Sequence, residues 1–481
     1  MAERKTTIGI ETKKEDNISE WYTQVMQKAD LADYTSVSGC LVFKPRSYAI
    51  WETIVAQTDL RFKQAGIQNA YFPLFIPESL FQKEAAHVEG FSPEVAWVTH
   101  AGDTKLNERL AVRPTSETIM YESYSKWIRS WRDLPLRLNQ WCNVVRWEFK
   151  HPVPFLRTRE FLWNEGHTAF ATKKQAEDEG PEIISIYNEI CENLLALPSV
   201  IGRKSEKEKF AGAEYTISLE FFLPSGKAIQ GPDFHHDGQN FAKAFDIKFK
   251  DQNGNDEYAW QNTFAITTRV IGIMIMMHGD NKGLVLPPFV APTQIGIVPI
   301  LGKGDDVLAK AKEIEESLRS AYKVQLDERE EYSPGYKFNE MELQGVPLRI
   351  EIGPKDLAAN SVVLVRRDTG EKTTVALDKL ASTIEEELTA MHHRLFEKAK
   401  TFLEENIVSV DNYDEFKKAI ADKKLVKARY CNDKTSDCEE IIKADTVGAK
   451  PLNIPEQEPS DGVCVHCGKP AKEYAYFGKA Y

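Results

Sequence analysis

Residues 155–167 (FLRTREFLWNEGH) place Arg157, Phe161, Trp163, Glu165 and His167 at one parity. Alternate residues of an extended strand share a face, so a single face would gather a guanidinium, two aromatic rings, a carboxylate and an imidazole. Such a face suits neither solvent nor an ordinary core, because buried charges demand partners. A cavity for a charged ligand with apolar parts uses every one of these groups. The chain is therefore expected to build a sheet with one face turned toward a ligand.

The preceding segment, residues 143–149 (NVVRWEF), alternates in the same way, with Val145, Trp147 and Phe149 on one face and Arg146 and Glu148 on the other. Read alone, it is also compatible with a half-exposed strand carrying a surface ion pair. The turn HPVP at 151–154 joins the two segments, and together they read as one strand, a loop and a returning strand.

A length of 481 residues suggests about three domains of roughly 150 residues each. The longest apolar run, residues 270–277, is far shorter than the ~20 residues of a bilayer span, and residues 1–16 lack the apolar stretch of a signal peptide. A soluble, cytoplasmic protein without a membrane partner is expected. Up to about residue 286 the chain is rich in aromatic residues and proline, with a helix expected over 119–131. After Pro287 and Pro288 come strand-like runs at 294–301, 346–352 and 361–367 around a helical pattern at 305–322. These suggest a small α/β domain with a mostly parallel sheet. A long helical stretch at 378–405 leads to a tail that holds four of the seven cysteines. The expected boundaries are 1–286, 287–407 and 408–481.

The Arg146/Glu148 strand, its loop and the returning strand resemble motif 2 of class II aminoacyl-tRNA synthetases. In that family the motif-2 arginine, here Arg146, clamps the α-phosphate of ATP and the amino-acid carboxylate. The resemblance further implies that Glu148 accepts from the adenine amino group, Phe161 stacks on the base, Arg157 reaches the terminal phosphates and Thr158 contacts the nucleotide. Residues 267–277 (TTRVIGIMIMM) are similar to motif 3, an arginine at the head of an apolar helix. Arg269 would then sandwich adenine against Phe161, with Thr267 beside it. An arginine at that position also sits poorly with the positive end of the helix dipole unless an anion or ring is present. Residues 70–73 (AYFP) resemble motif 1, which implies a homodimer.

The amino acid is indicated by RPTSE at 113–117 and WNEGHT at 163–168, which resemble signatures of prolyl-tRNA synthetases. In that family the T-x-E pair, here Thr115 and Glu117, holds the substrate ammonium. Trp163 and His167 would wall the pyrrolidine, with Glu165 orienting His167. Proline's charged nitrogen carries two protons, which a carboxylate and a hydroxyl can both accept. Taken alone, T-S-E is the usual start of a capped surface helix. Residues 228–241 resemble the family's Q-x-G-T-S-H stretch: Gln230 carries over as a contact to ATP and its Mg²⁺, and His235 as part of the proline pocket. Asp233 stands where the family usually has threonine, and Pro232 and Phe234 also depart from the pattern. The adjacent His235 and His236 leave a metal pair as the other reading.

In the tail, Cys464 and Cys467 have the C-x₂-C spacing of a zinc site, and Cys431 and Cys438 form a wider pair. Four ligands would make a closed structural Zn²⁺ site, with His466 as a substitute; four unrelated thiols are the alternative. The resemblance includes such a C-terminal zinc domain, a terminal tyrosine, here Tyr481, that tucks back toward the active site, and an anticodon-binding domain from Pro288 onward. Arg349, Glu351 and Lys355 are the candidates for reading the anticodon, an ordinary β-edge being their other reading. The implied architecture is α/β and multidomain: a class II catalytic domain on an antiparallel sheet, an α/β anticodon-binding domain and a small zinc-stapled α+β domain. The implied partners are L-proline, ATP and tRNA(Pro). A formal charge of −12 excludes a general basic nucleic-acid surface, so tRNA contact would come from local patches. The stretch between His167 and Arg269 is too short for a large inserted editing domain.

Overall fold

The computed structural model describes residues 9–85, 94–148, 151–301, 306–456 and 460–481. Its centre is a seven-stranded sheet. The strands, in chain order, are β1 (Gln68–Asn69), β2 (Leu136–Val145), β3 (Glu160–Phe170), β4 (Val200–Arg203), β5 (Tyr215–Phe222), β6 (Ala228–Gly238) and β7 (Trp260–Ala265). They lie in the order β1-β2-β3-β7-β6-β5-β4, antiparallel except for β1 against β2.

Register carries the face pattern across the sheet. His167 on β3 is paired with Thr263 on β7, Thr263 with His235 on β6, and His235 with Thr216 on β5. Paired residues share a face, so these four form one lateral row. The opposite face packs on helix α2 (Lys173–Glu189), which Thr172 and Gln175 start with a reciprocal capping box. Gly166 makes the close packing possible, because a Cβ there would fall 1.9 Å from the Phe264 ring.

Two strand expectations need correction. The first strand ends at Val145, and Trp147 is exposed, so it does not share a buried face with Val145; Phe149 lies outside the described residues. The returning strand begins at Glu160, because Phe155 adopts φ 58° and the proline-rich turn keeps residues 152–158 off the sheet. Arg157 therefore leaves the shared face. The helix expected at 119–131 is α1 (Glu117–Trp127), followed by a separate 3₁₀ turn at Trp131–Asp133. Helix α3 (Arg269–His278) is buried nearly all round, as its unbroken apolar sequence requires.

A second sheet of five strands covers residues 295–376: Ile295–Pro299 between Val324–Leu326 and Leu348–Ile352, all parallel, then Ser361–Arg366 and Lys372–Ala376, antiparallel. It is mixed, where a mostly parallel sheet was expected, because the short link 353–360 and the tight turn at 367–371 each reverse the chain onto the adjacent strand. The helix Leu380–Asn406 leads to a four-stranded sheet with two short helices, Tyr413–Ala421 and Cys438–Asp445. Among the described residues no helix is long and apolar enough to cross a membrane.

Candidate active site

A cavity of about 450 Å³ opens on the ligand-facing side of the central sheet. The odd-numbered face of β3 supplies Phe161, Trp163, Glu165 and His167, and β6 supplies Gln230, Asp233 and His235. The loop before α1 gives Thr115 and the first residue of α1 is Glu117, the end of β2 leads to Arg146 and Glu148, and Thr158, Thr267 and Arg269 complete this set. Arg157 alone among the residues expected at the ligand cavity is not in its lining; it is exposed.

Two guanidinium groups converge here. Arg146 Nε donates to the Pro114 carbonyl at 3.0 Å, and its guanidinium lies 5.1 Å from the Trp163 ring centroid and 5.5 Å from that of Phe161. Arg269 Nε and Nη1 donate to the carbonyls of Leu156 and Gln230, each at 3.0 Å. Burial, then the nearby Arg146, disfavours charge on Arg269. Arginine stays protonated regardless, so the pair forms a positive wall that favours an anion.

A second set of lining residues is acidic and closely bonded. Thr115 donates its hydroxyl to Glu117, and both are buried. Ser116 does not cap α1 with its side chain; its amide and hydroxyl both donate to Glu165, the amide at 2.9 Å. Glu165 also accepts from Gln140 Nε2 at 2.9 Å and lies 3.3 Å from His167 Nε2. Burial alone would raise its carboxyl, but bonds from His167, Ser116 and Gln140 outweigh that and hold it below the usual range. Tyr121 Oη sits 3.2 Å from His167 Nδ1, so this ring is fixed at both nitrogens.

His235 stacks on Phe210, with centroids 4.6 Å apart, and its Nδ1 lies 2.8 Å from Thr216 Oγ1. Burial pushes its imidazole below the ordinary histidine value. His236 points to the other face, where Nδ1 meets Asn262 Oδ1 at 2.7 Å, so strand alternation separates the two rings and removes the metal-pair reading. Asp233 accepts from Gln230 Nε2 at 2.7 Å.

Sequence reasoning missed Lys204, Glu208, Phe210 and Ala211, which line the cavity from the loop after β4, as well as Thr216 and Thr263. The charged run at 204–209 has the composition of a solvated loop. Register was the available signal for the two threonines, since both lie in the row of His167 and His235.

In the tail, the Sγ atoms of Cys431, Cys438, Cys464 and Cys467 all lie within 4.8 Å of one another. Cys431 Sγ is 3.7 Å from Cys438 Sγ. A tetrahedron of Zn–S bonds of about 2.3 Å has edges of about 3.8 Å, so the arrangement fits zinc. Cys431 reaches the cluster, and His466 Nδ1 lies 3.3 Å from Cys438 Sγ, as a neighbour of the thiol group. Tyr481 donates its amide to the Ala228 carbonyl at 2.9 Å and packs against the main core, at the start of the strand that carries Gln230. Arg349 and Glu351 are buried and paired at 2.8 Å, with Lys372 Nζ 2.9 Å from Glu351, whereas Lys355 is exposed. The first two therefore do not form an open polar edge.

Comparison with known proteins agrees with this geometry. Residues 97–278 match the profile of the tRNA synthetase class II core domain (G, H, P, S and T), residues 294–387 that of the anticodon binding domain, and residues 413–481 that of the prolyl-tRNA synthetase C-terminal domain. A proline–tRNA ligase of Alkaliphilus oremlandii is 51% identical over 98% of both chains. The chain belongs to the prolyl-tRNA synthetase family. A second relative with the same activity in its name, from Lachnoclostridium phytofermentans, is 50% identical over the full length of both chains. The crystal structure of a prolyl-tRNA synthetase from Cryptosporidium parvum, complexed with halofuginone and AMPPNP, superposes with a TM-score of 0.95 at 47% identity. It covers 98% of this chain and all of its own. No editing insertion fits: from His167 to Arg269 the chain is occupied by α2, the strands of the central sheet and short elements between them.

Proposed function

We propose that the chain is a proline–tRNA ligase, which activates L-proline with ATP and transfers it to the 3′ end of tRNA(Pro). The observation that carries this reading is that one cavity is lined by two guanidiniums, Arg146 and Arg269, and by the buried Thr115–Glu117 pair. Glu117 and Thr115 would accept both protons of the proline nitrogen, and Trp163, His167 and His235 would enclose the ring. The carboxylate would then point toward Arg146. Adenine would lie between Phe161 and Arg269, with its amino group toward Glu148, and Thr158, Thr267 and Gln230 would contact the nucleotide. Arg157 would reach the terminal phosphates from the cavity's rim.

A proline carboxylate oxygen attacks the α-phosphorus of ATP, the bond to the β-phosphate oxygen breaks, and pyrophosphate leaves. A ribose hydroxyl at the tRNA terminus then attacks the acyl carbon and releases AMP. Neither step needs a covalent nucleophile on the enzyme; positioning and charge neutralisation supply the acceleration. Magnesium prefers phosphate and carboxylate oxygens and water. Asp233 and Gln230 would offer it oxygen ligands in the cavity wall. When bound, the metal would neutralise charge on the phosphates.

We assign catalysis to residues 1–286, anticodon binding to 287–407, with Lys355 the exposed candidate beside Arg349 and Glu351, and a structural zinc site to 408–481. A homodimer through the 70–73 region and a cytoplasmic location complete the reading. Proline-dependent ATP–pyrophosphate exchange tests it. Exchange is expected to be strongest with proline and to fall about 10²–10³-fold in Arg146→Ala. Equal exchange with threonine or serine would sink the assignment of the amino acid.

A further inference from the structure

Residues 203–211 (RKSEKEKFA) carry Lys204, Glu208, Phe210 and Ala211 to the cavity wall, and Phe210 covers His235. Beyond Arg203, the last residue of β4, this segment has no regular secondary structure. Some of its fixed points are near: Lys204 N donates to Thr216 O at 2.8 Å, Phe210 N to Thr216 Oγ1 at 3.0 Å, and the buried Lys204 side chain pairs with Glu220. The others come from far along the chain. Arg203 N donates to Ile454 O at 2.8 Å, and Ile454 N to Arg203 O at 2.6 Å. The buried Asn453 donates to the Val200 carbonyl at 2.7 Å. Gly202 permits this approach, since a Cβ there would meet Ile454 O at 2.3 Å.

The remaining ties reach the module itself, two of them at the residues directly after Cys431 and Cys438. Asn432 Oδ1 accepts from Glu206 N at 3.0 Å, while its Nδ2 donates to Glu473 at 2.9 Å. Asn432 has φ 43°, a left-handed conformation that asparagine tolerates better than most residues. Glu439, itself buried, accepts from Ser205 and from Tyr430 Oη, the latter at 2.7 Å. Glu440 accepts from Lys207 at 2.8 Å, and Lys450 pairs with Glu208. The two ion pairs are partly solvated and add little. The buried Ser205–Glu439 bond and the backbone bonds are the ones whose loss leaves polar groups unmatched.

We propose that the four-cysteine module is a brace for the amino-acid pocket: Asn432 and Glu439, each fixed by the cysteine before it, hold loop 203–211 so that Phe210 closes over His235. Asn432 and Glu439 are positioning residues, since they act through the loop and touch no substrate. The inference rests on reading the cavity as the proline site.

Hydrogen exchange of the full-length enzyme, followed by mass spectrometry, tests the brace independently of catalysis. Glu439→Leu and Asn432→Ala are expected to speed exchange of residues 203–211 about tenfold, the factor for one lost buried hydrogen bond. Peptides of β2 and β3 should be unaffected, and proline KM should rise by a similar factor with a smaller change in kcat. Glu439→Gln, which keeps an acceptor for Ser205, should restore both. Unchanged loop protection in both disruptive variants, or a loosened loop with unchanged proline KM, overturns the proposal. Treating the wild type with a zinc chelator should reproduce the loosened loop. If chelation has no effect while Glu439→Leu still loosens it, the zinc reading fails and the brace stands. If the loop responds but the wild type shows no proline-dependent exchange of pyrophosphate, the substrate reading fails instead.

Discussion

Glu165→Gln is the substitution whose consequences the structure specifies most fully. The carboxylate is buried and accepts from the Ser116 amide, the Ser116 hydroxyl, Gln140 and His167. Glutamine keeps the shape but presents an amide NH₂ to an environment made of donors, so at least one of those contacts becomes donor against donor. Breaking a buried charged network on one side costs about 3–5 kcal/mol, and a residual acceptor oxygen recovers part of it, which leaves about 2–3 kcal/mol. Urea denaturation should register that loss. The functional effect is expected to be directional: His167 keeps Tyr121 at Nδ1 but loses its anionic partner at Nε2, so proline KM should rise about tenfold. ATP KM should change less than about twofold, because Ser116, Gln140, Cys142 and His167, which bond Glu165, lie outside the Phe161, Gln230 and Arg269 wall. A stability loss below about 0.5 kcal/mol, or equal increases in the two KM values, would refute the reasoning.

Four further outcomes follow. Burial drives the His278 imidazole down to about 4, with Lys14, His392 and Lys398 adding to it, while its Nε2 sits 3.0 Å from the Leu195 carbonyl. The unfolded chain therefore takes up this proton first: stability is full above about pH 6.5 and falls by about 1.4 kcal/mol per unit as pH drops toward 4, and His278→Gln should flatten that slope in pH-dependent unfolding. Glu165 works in the same direction lower down, its contribution present above about 4.5 and lost as pH falls through its depressed value. Alanine or cysteine is expected to support adenylate formation, because a missing methylene costs only about 1–3 kcal/mol of discrimination; absence of pyrophosphate exchange with both at millimolar concentration would contradict the steric argument. Arg349→Ala leaves Glu351 buried with Lys372 as its remaining cation, so thermal unfolding should reveal a loss of about 2–3 kcal/mol; a raised tRNA KM at unchanged stability would favour a purely recognitional role.

What the sequence determined by itself was local or periodic. Strand alternation brought Phe161, Trp163, Glu165 and His167 to one wall, the apolar run after Arg269 became a buried helix, and the C-x₂-C pair reached a common centre with Cys431 and Cys438. Those results depend on neighbours a few residues apart, or on a spacing that geometry fixes. Tertiary structure decided which charges meet. Arg349 and Glu351 read as an open edge, yet they neutralise each other in a covered strand, because burial depends on what packs above. Arg157 shares the parity of the cavity residues but lies before the strand begins, because the proline-rich turn and the positive φ of Phe155 delay it. Loop 203–211 has the composition of a solvated surface and becomes a cavity wall through Thr216 and Glu220 on the next strand together with partners more than two hundred residues away, a pairing that no local pattern encodes.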